Sequence, residues 1–205
     1  MSSTTGTTGG RVPRQREEIE WSITYWYNAT DSKLPRILLI GDSICNGYQG
    51  LVREELAGTA YTSFWASSRC VTDPAYLTEL THHLDEYPYA VIHFNNGLHS
   101  LDTDRATWEA ALEDVIALLK AKGRGARLVW ASSTPLTDPA LTAKARELNT
   151  IAARVMATHG IPTNDLFALV EPMGKEQWCD VFHYHEPAKR LQAWQVAAAV
   201  RAQLA

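Results

Sequence analysis

The amino-acid sequence predicts an α/β fold: a three-layer α/β/α sandwich whose open, doubly wound parallel sheet carries helices on both faces. Two observations carry this expectation. Past Pro35, five short apolar runs (37–40, 61–66, 90–94, 128–131 and 161–163) are continuous rather than alternating, which marks strands buried on both faces. Longer stretches of helical period separate them, and strands alternating with helices assemble into parallel sheets.

The opening MSSTTGTTGG has only Met1 as a sizeable apolar side chain, so residues 1–15 are expected to form a disordered tail. Residues 16–34 are expected to be an N-terminal extension packed on the domain proper, 35–205. Within 17–27 two templates compete. Ile19, Ile23, Trp26 and Tyr27 keep helical spacing, while Trp21, Ile23, Tyr25 and Tyr27 alternate as in a strand. The helical reading is preferred. Asn28-Ala29-Thr30 matches a glycosylation sequon and is read as a surface turn before Pro35, because no secretion signal precedes it. Farther on, Trp108, Leu112, Val115 and Leu119 form one helical stripe. Ala145, Leu148, Ala152, Val155 and Met156 form another, stopped by Gly160 where a helix favours a left-handed residue. A last helix is expected from about Pro187 towards Leu204.

Composition narrows the function. A chain of 205 residues with 45% hydrophobic content supports a single core without metal or disulfide. Nineteen basic against 23 acidic residues give a net charge of -4 with no Lys/Arg run, so no nucleic-acid partner is expected. No apolar stretch reaches the roughly 18 to 20 residues of a membrane span, and residues 1–10 lack the apolar core of a signal peptide. A soluble, cytoplasmic protein without a membrane partner is expected, its oligomeric state left open. Cys45, Cys70 and Cys179 are an odd set without CxxC spacing, read as reduced thiols. His82-His83 has no third ligand at metal spacing, and no phosphate-cradling fingerprint occurs. No metal or cofactor is expected.

In a doubly wound sheet, ligands bind beyond the carboxyl ends of the strands, so chemistry should follow the apolar runs directly. The first run ends in Gly41-Asp42-Ser43, which places a hydroxyl at the sheet's rim, beside the first amides of a helix. Ser43 is thus a candidate nucleophile whose own N–H could face an oxyanion; the plainer alternative is that Asp42 or Ser43 caps that helix. A weak hydroxyl needs a base, and the base an orienting acceptor. Just before the final helix, Asp180 stands three residues ahead of His183, so its carboxylate can take the imidazole Nδ1–H and leave Nε2 for the serine proton. His185 is the competing base, but Phe182 holds the position three before it.

Together, Gly41-Asp42-Ser43 and Asp180-x-x-His183 resemble the SGNH hydrolases, or GDSL-type esterases, over roughly residues 35–205. The resemblance implies a flavodoxin-like sheet of five parallel strands in the order 2-1-3-4-5, with Ser43 and the loop after the third run flanking one crevice. It also implies an oxyanion donor in a Gly-x-Asn-Asp block after that run. Here the block reads Gly97-Leu98-His99-Ser100, with His99 in the Asn position. Imidazole donates one N–H when neutral and two when protonated, so the role can survive in a pH- or tautomer-dependent form. Asn95 and Asn96 are alternative donors, or loop residues that satisfy backbone groups. The family's Gly after the second strand has no counterpart in Ser67-Ser68-Arg69. Arg69 is a candidate for binding an acidic substrate group, or for holding its loop through bidentate hydrogen bonds.

The resemblance implies a cofactor-free serine esterase working through an acyl-enzyme on a small-molecule or carbohydrate ester, acetylated sugars above all. Two alternatives stay open: a non-catalytic carbohydrate-binding or interaction domain on the same scaffold, and another hydrolysis, of a lipid ester, thioester or glycoside.

Overall fold

A computed structural model describes residues 16–205, so the tail expected over 1–15 lies outside the described residues. The five apolar runs become the parallel strands β2 (Arg36–Gly41), β3 (Tyr61–Ser67), β4 (Val91–Phe94), β5 (Arg127–Ala131) and β6 (Thr163–Asn164). Their spatial order is β3-β2-β4-β5-β6, the 2-1-3-4-5 arrangement. Every residue of β2 and β4 is buried, as expected for continuous apolar runs at the centre of a covered sheet.

The helices α1 (Ser43–Glu55), α2 (Pro74–Glu86), α3 (Arg105–Lys122), α4 (Pro139–His159), the short α5 (Leu166–Val170) and α6 (Glu186–Leu204) divide between two layers. α1 packs on α6 and α6 on α5, while α3 packs on both α2 and α4. The predicted stripes are the buried faces: Trp108, Leu112, Val115 and Leu119 on α3, and Ala145, Leu148, Ala152, Val155 and Met156 on α4. Gly160 ends α4 at φ 66°, the left-handed conformation that glycine enters without strain.

The segment read as a helix over 17–27 is instead a sixth strand, β1 (Ser22–Trp26), antiparallel to β3 with Ser22 opposite Ser67 and Trp26 opposite Ser63. Its two faces explain the correction. Ser22 and Thr24 reach α2, donating to Glu79 Oε2 (2.8 Å) and meeting His83 Nε2 (2.8 Å), and Trp26 stacks on His83; Tyr25 on the other face stacks on Phe64. A helix would abandon this period-2 pattern and leave the backbone of β3 unpaired along that edge. Asn28 then turns the chain at φ 52°, a left-handed position asparagine tolerates. Among the described residues, no helix is long and apolar enough to cross a membrane, and no group of three or more His, Cys, Asp or Glu is placed to hold a metal ion.

The second strand-helix-strand unit returns to the opposite side of β2 from the first, so β2 and β4 diverge at their carboxyl ends. β4 also carries a wholly buried histidine. His93 on β4 accepts from Asn164 Nδ2 at its Nε2 (3.0 Å), and burial holds its pKa down to about 4. Protonation would set one N–H against another. In the unfolded chain a histidine takes its proton near 6.5, so as pH falls the unfolded state binds it first. Stability is therefore full above about pH 6.5 and drains as pH falls towards about 4, by about 3 kcal/mol from this one residue. His83, whose pKa burial also lowers, adds in the same direction. Denaturant titrations at pH 7 and pH 4.5 should show the loss, and His93→Gln should flatten it. An equal slope in the variant would assign the acid sensitivity elsewhere.

Candidate active site

The site begins at the carboxyl end of β2. A Cβ on Gly41 would lie 2.5 Å from Cys45 Cβ, so only glycine lets the chain turn this tightly into α1. Asp42 caps the helix, its carboxylate accepting from the Ile44 amide at 2.9 Å. Capping therefore falls to Asp42 and frees the Ser43 side chain. Ser43 is the first residue of α1, where the first-turn amides lack intrahelical acceptors and the helix dipole favours negative charge.

The loop before α6 comes to meet it. Trp178 and Tyr184 pair across its base, the Cys179 amide donates to the His183 carbonyl (2.8 Å), and the buried Tyr184 hydroxyl donates to the Pro135 carbonyl (2.7 Å). At its tip, Asp180 Oδ1 accepts from the Phe182 amide (2.7 Å) and the His183 amide (2.8 Å), while Oδ2 lies 2.8 Å from His183 Nδ1. These bonds, the His183 amide first, hold the Asp180 carboxyl down to about 2, so it is ionised at neutral pH. His183 Nε2 stands 2.8 Å from Ser43 Oγ, closing an Asp180–His183–Ser43 chain across 140 residues of sequence. His185, the competing base, instead places Nδ1 3.3 Å from Cys179 Sγ and stands at the N-cap position of α6 without a side-chain capping bond.

Ser43 and His183 open into a cleft of 440 Å³. Leu98 and His99 from the loop after β4 line it, as do Phe182, Leu101 and Leu141, and Arg16, Glu17 and Trp21 from the N-terminal segment form a further wall. A second recess of 230 Å³ lies against Ser43 and His183 and is bordered by Asn46, Lys189 and Gln192.

The remaining sequence candidates divide. His99 lines the cleft. The two asparagines spend their amide hydrogens elsewhere: Asn95 Nδ2 donates to the Ala131 carbonyl (2.7 Å) and Ser133 Oγ (3.2 Å), and Asn96 Nδ2 to the Arg69 carbonyl (2.8 Å). Asn95 thus ties the loop after β4 to the end of the adjacent β5, and Asn96 ties it to the loop after β3, two strands away. Arg69 follows its loop-holding alternative, with Nε donating to Glu79 (2.7 Å) and Nη1 to Asp73 (3.2 Å), and it does not line the cleft. Ser68, in the stretch after β3, lines the cleft, but its amide donates to the Trp21 carbonyl (3.1 Å). Sequence reasoning missed the contribution of 16–21; the alternation of Trp21, Ile23, Tyr25 and Tyr27 was the available signal.

No protein-family model and no curated protein matches the sequence. Solved structures do match in fold. A member of the lipolytic protein G-D-S-L family from Veillonella parvula shares 19% identity at TM-score 0.61, covering 82% of this chain and 98% of that one. The inhibitor-bound aryl esterase of M. smegmatis shares 16% at TM-score 0.68, covering 82% and 99%. A GDSL-like lipase from Bacteroides thetaiotaomicron shares 14% at TM-score 0.64, covering 82% and 88%. The chain therefore has the fold of the GDSL, or SGNH, hydrolases. Within that fold it sets Ser43, His183 and Asp180 in one hydrogen-bonded row at the switch point.

Proposed function

We propose that the protein is a serine hydrolase that cleaves an ester through an acyl-enzyme. The observation that carries this reading is the unbroken chain from Asp180 through His183 to Ser43, each link 2.8 Å long. Ser43 Oγ attacks the ester carbonyl as His183 Nε2 takes its proton, and Asp180 balances the resulting imidazolium. The oxyanion is received by the Ser43 amide at the head of α1 and by His99. His183 then passes its proton to the departing alcohol. In the second half it deprotonates water, which attacks the acyl-serine, and Ser43 recovers its hydrogen as the acid leaves.

Carbohydrate O-acyl esters, acetyl esters first, are the proposed substrates. Trp21 offers a flat apolar face and Glu17, Asp102 and Arg16 offer hydroxyl-binding groups in the cleft of 440 Å³. A second reading, an ester with an aryl or aliphatic acyl group, is favoured by Leu98, Leu101, Leu141 and Phe182 in the same cleft. Acetylated sugars assayed beside nitrophenyl esters of increasing acyl length separate the two.

A fluorophosphonate probe tests the hydrolase reading itself. It is expected to label the native protein at Ser43 and to leave Ser43→Ala unlabelled. A folded wild-type chain that resists the probe would favour the non-catalytic binding domain.

A further inference from the structure

We infer that Glu17 is a positioning residue that acts on the reaction through His99, so that the segment before β1 completes the catalytic apparatus. The inference rests on the hydrolase reading above and on His99 as oxyanion donor. Glu17 Oε1 lies 2.5 Å from His99 Nδ1, across 82 positions of sequence, and both side chains line the cleft that holds Ser43 and His183. The contact is held from several directions. The Glu17 amide donates to Glu20 Oε1 (2.9 Å), Glu20 Oε2 accepts from Ser68 Oγ (2.8 Å), and the Trp21 amide donates to the same Ser68 oxygen (2.9 Å). The Trp21 ring meets the His99 ring edge to face at 6.0 Å.

A carboxylate accepts and cannot donate, so this contact requires the hydrogen on His99 Nδ1. In the neutral ring Nε2 then has a lone pair and no hydrogen, and a lone pair repels an oxyanion. Only the doubly protonated ring has an N–H left to offer. His99 therefore donates to the oxyanion as an imidazolium, with Glu17 balancing its charge from the opposite side and making the new hydrogen bond charge-assisted. Among the described residues, the other charged or titratable groups facing the cleft are Arg16, ion-paired with Asp73 at 3.5 Å, Asp102, ion-paired with Lys144 at 2.5 Å, and His183. Glu17 alone among them touches the His99 ring with a carboxylate.

Asparagine, which stands in the matching position of the resembled family, donates without titrating, and this supplies the test. Hydrolysis of 4-nitrophenyl acetate is measured from pH 5.5 to 9 for the wild type, Glu17→Ala, Glu17→Gln, His99→Asn and the double variant Glu17→Ala/His99→Asn. Glu17→Ala is expected to lower kcat by about 10- to 100-fold with KM within about twofold, part of the 10²- to 10³-fold that an oxyanion donor is worth. Glu17→Gln presents an amide that can donate to Nδ1, so the neutral ring can carry its hydrogen on Nε2 and offer it to the oxyanion, and the alkaline fall of kcat contributed by His99 should disappear. In the His99→Asn background the alkaline fall contributed by His99 should vanish and Glu17→Ala should cost less than about twofold. An equal cost of Glu17→Ala in both backgrounds overturns the inference, as does an alkaline fall in Glu17→Gln that matches that of the wild type, while leaving the hydrolase reading intact. A wild-type protein without Ser43-dependent hydrolysis overturns both.

Discussion

Replacing His183 by alanine is expected to lower kcat by about 10⁴- to 10⁶-fold while the protein stays folded. The size follows from what the imidazole does in each half-reaction. It takes the Ser43 proton, returns it to the leaving alcohol, and repeats both steps with water. Without it Ser43 must attack as a neutral hydroxyl, and only the oxyanion donors and substrate binding remain to accelerate the reaction. The fold should be indifferent because the His183 side chain is 42% exposed on a rim loop. That loop is anchored by Tyr184, 1% exposed, and by the Cys179–His183 backbone bond, which alanine retains. Ester hydrolysis and circular dichroism on the same preparation check the prediction. Loss of the folded signal would give the imidazole a structural task, and retained turnover would remove it from the reaction.

The part of the fold legible in the sequence was the part buried on two faces. A strand such as β2 is buried on both faces, so its residues 37–40 form a continuous apolar run that a half-exposed helix cannot imitate. The helices were legible through the complementary signal, a stripe such as that of Trp108 to Leu119 with solvated positions between. β1 was not. An edge strand five residues long has too few positions for period 2 to separate from period 3.6, and tertiary partners decided it: the open edge of β3, and the Glu79 and His83 side chains of α2.

The candidate site follows the same division. Ser43 and the Asp180-His183 pair could be found because each role is set locally, by a strand-to-helix turn in one case and a three-residue spacing in the other. The hydrogen-bond partners of the remaining candidates are set across the molecule. Asn96 ties the loop after β4 to the loop after β3, accepting from the Val71 amide at 3.3 Å and donating to the Arg69 carbonyl, and composition cannot reveal that its hydrogens are spent. Arg69 closes on Glu79 ten residues ahead. Glu17 opens a segment whose secondary structure was itself ambiguous, so its approach to His99 could not be read before the sheet was known.

Asp180→Asn should lower kcat by up to about 10⁴-fold at neutral pH with little change in KM, although it alters only one atom of the side chain. The carboxylate has two functions that the amide separates. Oδ1 accepts from the Phe182 and His183 amides, a role that an asparagine oxygen continues to fill, so the loop should keep its shape. Oδ2 faces His183 Nδ1, and there the amide would present an NH₂ group. That donor selects the imidazole tautomer with its lone pair on Nδ1 and its hydrogen on Nε2, the nitrogen that must accept from Ser43. The variant would therefore be folded, correctly shaped and wrongly protonated. Its activity should recover in part at high pH, where hydroxide supplements the missing base. The carboxyl of the wild-type residue, held at about 2, predicts that no loss of activity between pH 7 and pH 4 comes from Asp180 itself. Because its folded value is depressed, any stability it contributes is present above the unfolded value near 4 and is lost only as pH falls through about 2. A kcat profile of wild type and Asp180→Asn over pH 5 to 10 reads these expectations together. A variant with wild-type turnover at pH 7 would show that His183 finds its tautomer without Asp180, and the proposed division of labour among the three residues would fail.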